Sequence, residues 1–185
     1  MEPLKESSNV TRLPGADDIR YREPPHNFEA EQALLGAILV NNAAYQRVAE
    51  FLRPEHFADP LHGKLFEMLG KLIERGQIAT AVTLKTYLEQ DEAMKAAGGA
   101  TYLARLAAAS VHVIDAGDFG RTVHDLFLRR QLIDVGEDMV NGSFGSDVDE
   151  MALQQIELAE KKLYDLASSG QIEGGFKPFR TALTE

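Results

Sequence analysis

The amino-acid sequence predicts an all-α protein: a globular helical bundle followed by a long antiparallel helical hairpin. Three observations carry this prediction. Apolar residues recur three and four apart through successive segments, the period of a helix with one buried stripe. No stretch keeps the strict apolar–polar alternation of a half-buried strand. Late in the chain two long helical runs flank a short turn, Asn141-Gly142 with Gly145, and two long helices on a short loop form a hairpin.

Taken in order, residues 1–23 are polar, mixed in charge and punctuated by Pro3, Pro14 and Gly15, which reads as a mobile tail. Pro24 and Pro25 hold the chain extended. Asn27 then caps a first helix whose opening turn carries Glu29 and Glu31 and whose stripe is Leu34, Leu35, Ile38 and Leu39. Asn42 is expected to cap a short second helix through Leu52, stopped before Pro54. A third runs from Asp59 and Pro60 to Gly76, with proline at its first position and glycine past its end. Thr80 or Thr83 opens a fourth, through Leu84 and Leu88. Gly98-Gly99 precede a fifth, through Tyr102, Leu103 and Leu106, closing a bundle over 24–110.

The hairpin is expected over 111–167. One arm spans Asp115 to Val140, through Val123, Phe127 and Ile133. The other spans Asp147 to Ala167, through Met151, Ile156 and Leu163. Ser168-Ser169-Gly170 and Gly174-Gly175 make 168–176 a flexible linker. Phe179 and Leu183, four apart, restart a helical pattern over 177–185 that then stops, so the sequence reads as part of a longer chain.

Composition narrows the function. With 185 residues the chain buries enough surface for a core without staples. It has no cysteine, which removes disulfides, thiolate metal sites and cysteine nucleophiles. The longest apolar run, Ala33–Val40, is too short to cross a bilayer, and the N-terminus lacks the apolar segment of a secretory signal. A cytoplasmic protein is expected. The net charge of −10 disfavours the phosphate backbone of DNA as a direct partner.

Each candidate chemistry meets a plainer reading. The one Gly-Lys pair, Gly63-Lys64, lies mid-helix with Ala58 where a phosphate loop needs glycine, so it is a helical surface lysine. His56 and His62 are six apart, on different faces of any continuous helix, and HExxH is absent; no metal site is expected. Glu29 and Glu31 point away from each other and read as partners of the helix dipole rather than a catalytic pair. No catalytic or cofactor-binding residue is assigned. Arg121, Arg129 and Arg130 form the densest basic feature of the folded part, read first as a solvated face, next as intersubunit ion pairs, and least as a DNA contact.

Several segments together resemble one family. PPHNFEAEQALLGAIL (24–39), RPEHFADPLHGKLFEMLGKLIERGQ (53–77), VTLKTYLEQ (82–90), GGATYLARLA (98–107), FLRRQLI (127–133) and EKKLYDLA (160–167) follow the order of the N-terminal domain of the bacterial replicative DNA helicases, the DnaB family. GGFKPFRTALTE resembles that family's linker and the start of its linker helix.

The resemblance implies a collar that pairs into dimers and, as a trimer of dimers, caps a hexameric ring. It implies primase as a docking partner, with loader and initiator proteins acting nearby. ATP and Mg belong to the motor that follows the linker in the family, not to this part. On this reading Ile133, Met139 and Met151, which lie furthest from the bundle core, are the candidate intersubunit or primase contacts, together with Arg129 and Arg130. A stand-alone adaptor or loader-like protein that binds a helicase is the alternative.

Overall fold

The structure, a computed structural model, describes residues 22–88, 91–109, 116–145 and 152–169. Every regular element among them is helical: α1 (Phe28–Val40), α2 (Ala43–Gln46), a 3₁₀ turn (Pro54–His56), α3 (Pro60–Glu74), α4 (Ala81–Leu88), α5 (Glu92–Ala96), α6 (Gly99–Ala109), α7 (Ala116–Phe144) and α8 (Ala152–Ser169). None is long and apolar enough to cross a membrane.

Local chemistry sets most boundaries. The Asn27 side chain accepts from the Ala30 amide at 2.9 Å and starts α1. Asp59 accepts from Leu61 N at 2.8 Å and Pro60 opens α3, and Gly76, at a φ of 72°, lies just past its end. Thr80 and Thr83 each accept the other's amide, at 2.8 and 3.2 Å, before α4.

Asn42 behaves differently from its expected capping role. Its Nδ2 donates to Ile38 O and Ala79 O, both at 2.8 Å, and its Oδ1 accepts from Ala79 N at 2.9 Å. Asn42 thus ties the end of α1 to the connector before α4. The Ala43 amide is capped instead by Asn41 Oδ1, at 3.1 Å.

The head is the packing of α1 against α3, α6 and α7, with α4 on α6. Leu34, Leu35, Ile38, Val48, Leu65, Leu69, Leu84 and Leu103 fill its core with no more than traces of exposure. Two glycines permit close approaches. A Cβ at Gly63 would lie 2.4 Å from Pro54 O, so the 3₁₀ turn sits directly on α3, and one at Gly120 would lie 2.5 Å from Val48 Cγ1, so α7 closes onto the head.

The hairpin departs from expectation at its turn. Asn141 and Gly142 are helical and α7 continues to Phe144, with Gly145 N donating to Asn141 O at 2.8 Å. Glycine costs only about 1 kcal/mol in a helix interior. That penalty is offset here by pairing with α8, where Gln155 Nε2 donates to Gly142 O at 3.2 Å and Lys162 Nζ reaches Asp138 Oδ2 at 2.7 Å. The short α5 also lies outside the sequence expectation.

Candidate interaction surface

Two buried polar clusters hold the head together and fix the hairpin to it. In the first, Glu31 is almost wholly buried. Its Oε1 accepts from Ala58 N at 2.6 Å and its Oε2 from Asp59 N at 3.4 Å. His62 Nδ1 stands 2.6 Å from the same Oε2, and His62 Nε2 stands 2.6 Å from the Tyr102 hydroxyl. This chain joins α1, the loop before α3, α3 and α6. It overturns the reading of Glu31 as a simple dipole partner: a buried carboxylate has to be satisfied by hydrogen bonds. Burial pushes the Tyr102 hydroxyl above its ordinary pKa.

The second cluster is the joint between head and hairpin. His56 stacks on Phe127 of α7 with ring centroids 4.3 Å apart, and His124 lies edge-on to His56 at 5.0 Å. The Arg53 amide donates to His56 Nδ1 at 3.1 Å, which requires that nitrogen to be an unprotonated acceptor. Burial, followed by the neighbouring His124 and the nearby arginines, holds His56 down at about 4. Burial also lowers His124, against the opposing pull of Asp125.

Arg130 completes the joint. Its Nη1 donates to Pro25 O at 2.9 Å and its Nη2 to His56 O at 2.7 Å. The guanidinium is therefore engaged within the chain, half-buried between α7 and the head. Arg121 and Arg129 are exposed and pair along α7 with Asp118 and Asp125, the latter at 2.7 Å.

Beyond Arg130 no described residue of α7 is buried, and its remaining 14 residues to Phe144 carry the hairpin roughly 21 Å out from the head. In α8, Ala159 is the buried contact to its neighbour. The projecting part exposes many large apolar side chains. Ile133 and Met139 are 42% and 50% exposed, as the sequence places them, and Leu132, Val140, Phe144, Leu153, Ile156, Leu158 and Tyr164 join them. Met151 lies outside the described residues.

Ile133 and Met139 are not on one face. Met139 lines a groove of about 610 Å³ between α7 and α8, with Val135, Ile156, Leu158 and Ala159, bridged by the Asp138–Lys162 pair. Ile133 lies about 120° around α7 from Met139 and does not line this groove. Among the described residues no group of three His, Cys, Asp or Glu side chains stands where a metal ion could be held.

Among the described residues the chain is thus an all-helical head from which a hairpin with exposed large apolar side chains projects. Comparison with known proteins gives its family: residues 23–125 match the DnaB-like helicase N terminal domain, and the chain belongs to that family. It is 45% identical over 161 residues to the replicative DNA helicase DnaB of Rickettsia conorii, covering 87% of this chain and 33% of that protein. The chain therefore spans about a third of the length of the curated relatives it matches.

Two solved structures share the architecture. The N-terminal domain of DnaB helicase from Mycobacterium tuberculosis superposes with a TM-score of 0.70 at 30% identity, covering 77% of this chain and 99% of that one. A DnaB-like replicative helicase, solved in a study of its interactions with primase, gives 0.64 at 23% identity, covering 85% of this chain and 35% of that one. At that identity the second likeness speaks to fold alone.

Proposed function

We propose that this chain is the N-terminal collar of a replicative DNA helicase, acting in the cytoplasm. In this role it associates with itself, as a dimer and up to a trimer of dimers, and docks primase. The protein it serves unwinds DNA at replication forks with ATP and Mg, and that chemistry lies outside the residues described above. A helicase loader or initiator protein is a further partner on this reading.

The division of labour is 1–23 as a tail, 24–110 as the head, 111–167 as the interacting hairpin, 168–176 as a linker and 177–185 as the start of a linker helix. The observation that carries the proposal is the projecting hairpin. Among the described residues, large apolar side chains on two of its faces stand 42% or more exposed, and such surface suits a docking site. Of the sequence candidates, Ile133, Met139, Met151 and Arg129 remain the proposed contacts. Arg130 contributes by holding the hairpin at its angle to the head.

Replacing Ile133 or Met139 by serine tests this. The expected result is weaker self-association or weaker primase binding with unchanged helix content by circular dichroism. Loss of the folded state in both variants would make these residues core and defeat the proposal.

A further inference from the structure

The Asn141-Gly142 pair, which the sequence reads as a turn, sits instead in the last turn of α7. Asparagine followed by glycine is the dipeptide most prone to lose ammonia, because no Cβ on the next residue hinders its amide nitrogen from reaching the asparagine carboxamide. Of the five asparagines in the chain, Asn141 alone precedes glycine. The side chains of Asn27, Asn41 and Asn42 are held by the amides of Ala30, Ala43 and Ala79, whereas Asn141 is exposed beside the groove between α7 and α8.

The helix protects this bond, and α8 holds the helix. In a regular helix the Gly142 amide belongs to the carbonyl of Asp138, four residues back, so its nitrogen cannot attack while the turn is closed. That turn is weakly built. It lies where a helix frays, carries glycine in its interior, and is followed at once by Gly145. Its reinforcement comes from α8: Gln155 Nε2 donates to Gly142 O at 3.2 Å, and one turn back Lys162 Nζ reaches Asp138 Oδ2 at 2.7 Å.

We propose that Asn141 is a site of spontaneous deamidation whose rate is set by the packing of α8 on α7. When the last turn opens, hydroxide takes the Gly142 N–H proton and the nitrogen attacks Asn141 Cγ. A succinimide ring closes as the Cγ–Nδ2 bond breaks, and the carboxamide nitrogen takes a proton from water and leaves as ammonia. Water then opens the ring at either carbonyl, leaving aspartate or, with the main chain rerouted through Cβ and Cγ, isoaspartate. Either product places a carboxylate at the negative end of the α7 dipole and three residues from Asp138, and both effects oppose re-closing of the turn. Isoaspartate also adds a carbon to the backbone, which ends the helical ladder ahead of Phe144. The modified tip loses the wall that Asn141, Gly142 and Ser143 give the groove.

Peptide mapping by mass spectrometry, with the full chain held at mildly alkaline pH, tests this. Aspartyl and isoaspartyl forms should accumulate at Asn141 ahead of Asn27, Asn41 and Asn42. Gln155→Ala removes a contact from α8 and should raise the rate at Asn141 several-fold. Lys162→Ala should also raise it, with helix content by circular dichroism unchanged. In urea, where α8 no longer packs, the parent chain and both variants should deamidate at one common, faster rate. Gly142→Ala, whose Cβ would come no nearer than 3.9 Å to Gln155, fits the closed turn and should lower the rate by roughly tenfold or more. Conversion at Asn141 no faster than at the other three asparagines overturns the site. Folded variants that keep the parent rate, or a folded parent chain that converts as fast as in urea, overturn its control by α8.

Discussion

Arg130 of the long helix α7 donates to the backbone carbonyl of His56 at 2.7 Å, so one side chain sets where the hairpin leaves the head. Its other guanidinium nitrogen reaches Pro25 O at 2.9 Å, giving two charge-assisted bonds from one planar group. Arg130→Ala should lower stability by roughly 1–3 kcal/mol in urea denaturation. Arg130→Lys should recover only part of that loss, since an ammonium does not reproduce the fork. Full recovery by lysine would mean that charge alone matters here.

The two histidines of the joint give a pH dependence of definite sign. Both have folded values below the ordinary 6.5, with His56 at about 4, so between these limits the unfolded chain binds more protons than the folded one. Their contribution favours the folded state fully above pH 6.5 and is progressively lost as the pH falls towards 4. Denaturation midpoints measured at pH 7.5 and 4.5 should show a smaller drop for His56→Gln than for the unaltered chain. An equal drop would leave carboxylates elsewhere as the cause.

Glu31→Ala should be among the costliest polar substitutions in the head. It orphans the Ala58 amide and His62 Nδ1 together, a loss of roughly 2–6 kcal/mol at about 1–3 kcal/mol for each buried group left unpaired. Glu31→Gln keeps one acceptor oxygen and should fall between the two. A Glu31→Ala variant as stable as the parent chain would show that water replaces the carboxylate.

Leu34→Ala, at a position with no exposure, should cost roughly 2–5 kcal/mol by thermal or chemical denaturation, with the spread set by how far the site collapses. Leu153→Ala, on the exposed face of α8, should change stability by less than about 0.5 kcal/mol. A stability loss at Leu153 comparable to that at Leu34 would place it in a core.

These sites differ in how plainly the sequence announces them. Asn27, Asp59-Pro60 and Gly76 are legible because caps act on backbone two or three residues away. The same is true of the core stripe Leu34, Leu35 and Ile38, which helical spacing alone reveals. Glu31 is not legible, because the amides it receives lie 27 and 28 residues on and its histidine 31. Arg130 reads as a surface charge for the same reason, its acceptors being 105 and 74 residues back. Asn141-Gly142 reads as a turn because propensity favours one, and only contact with α8 overrides it. The projecting apolar residues are visible as helical residues in the sequence, but that they face solvent follows from where α7 leaves the head.

The central claim, that the projecting hairpin is an interaction surface for copies of this chain and for primase, is tested most directly by light scattering over a concentration range. The measurement is made with and without the C-terminal domain of primase. The mass should rise with concentration from monomer to dimer and beyond, and increase further when the primase domain is added. A mass that stays at the monomer value of 20.4 kDa throughout, with no change on adding primase, would contradict it.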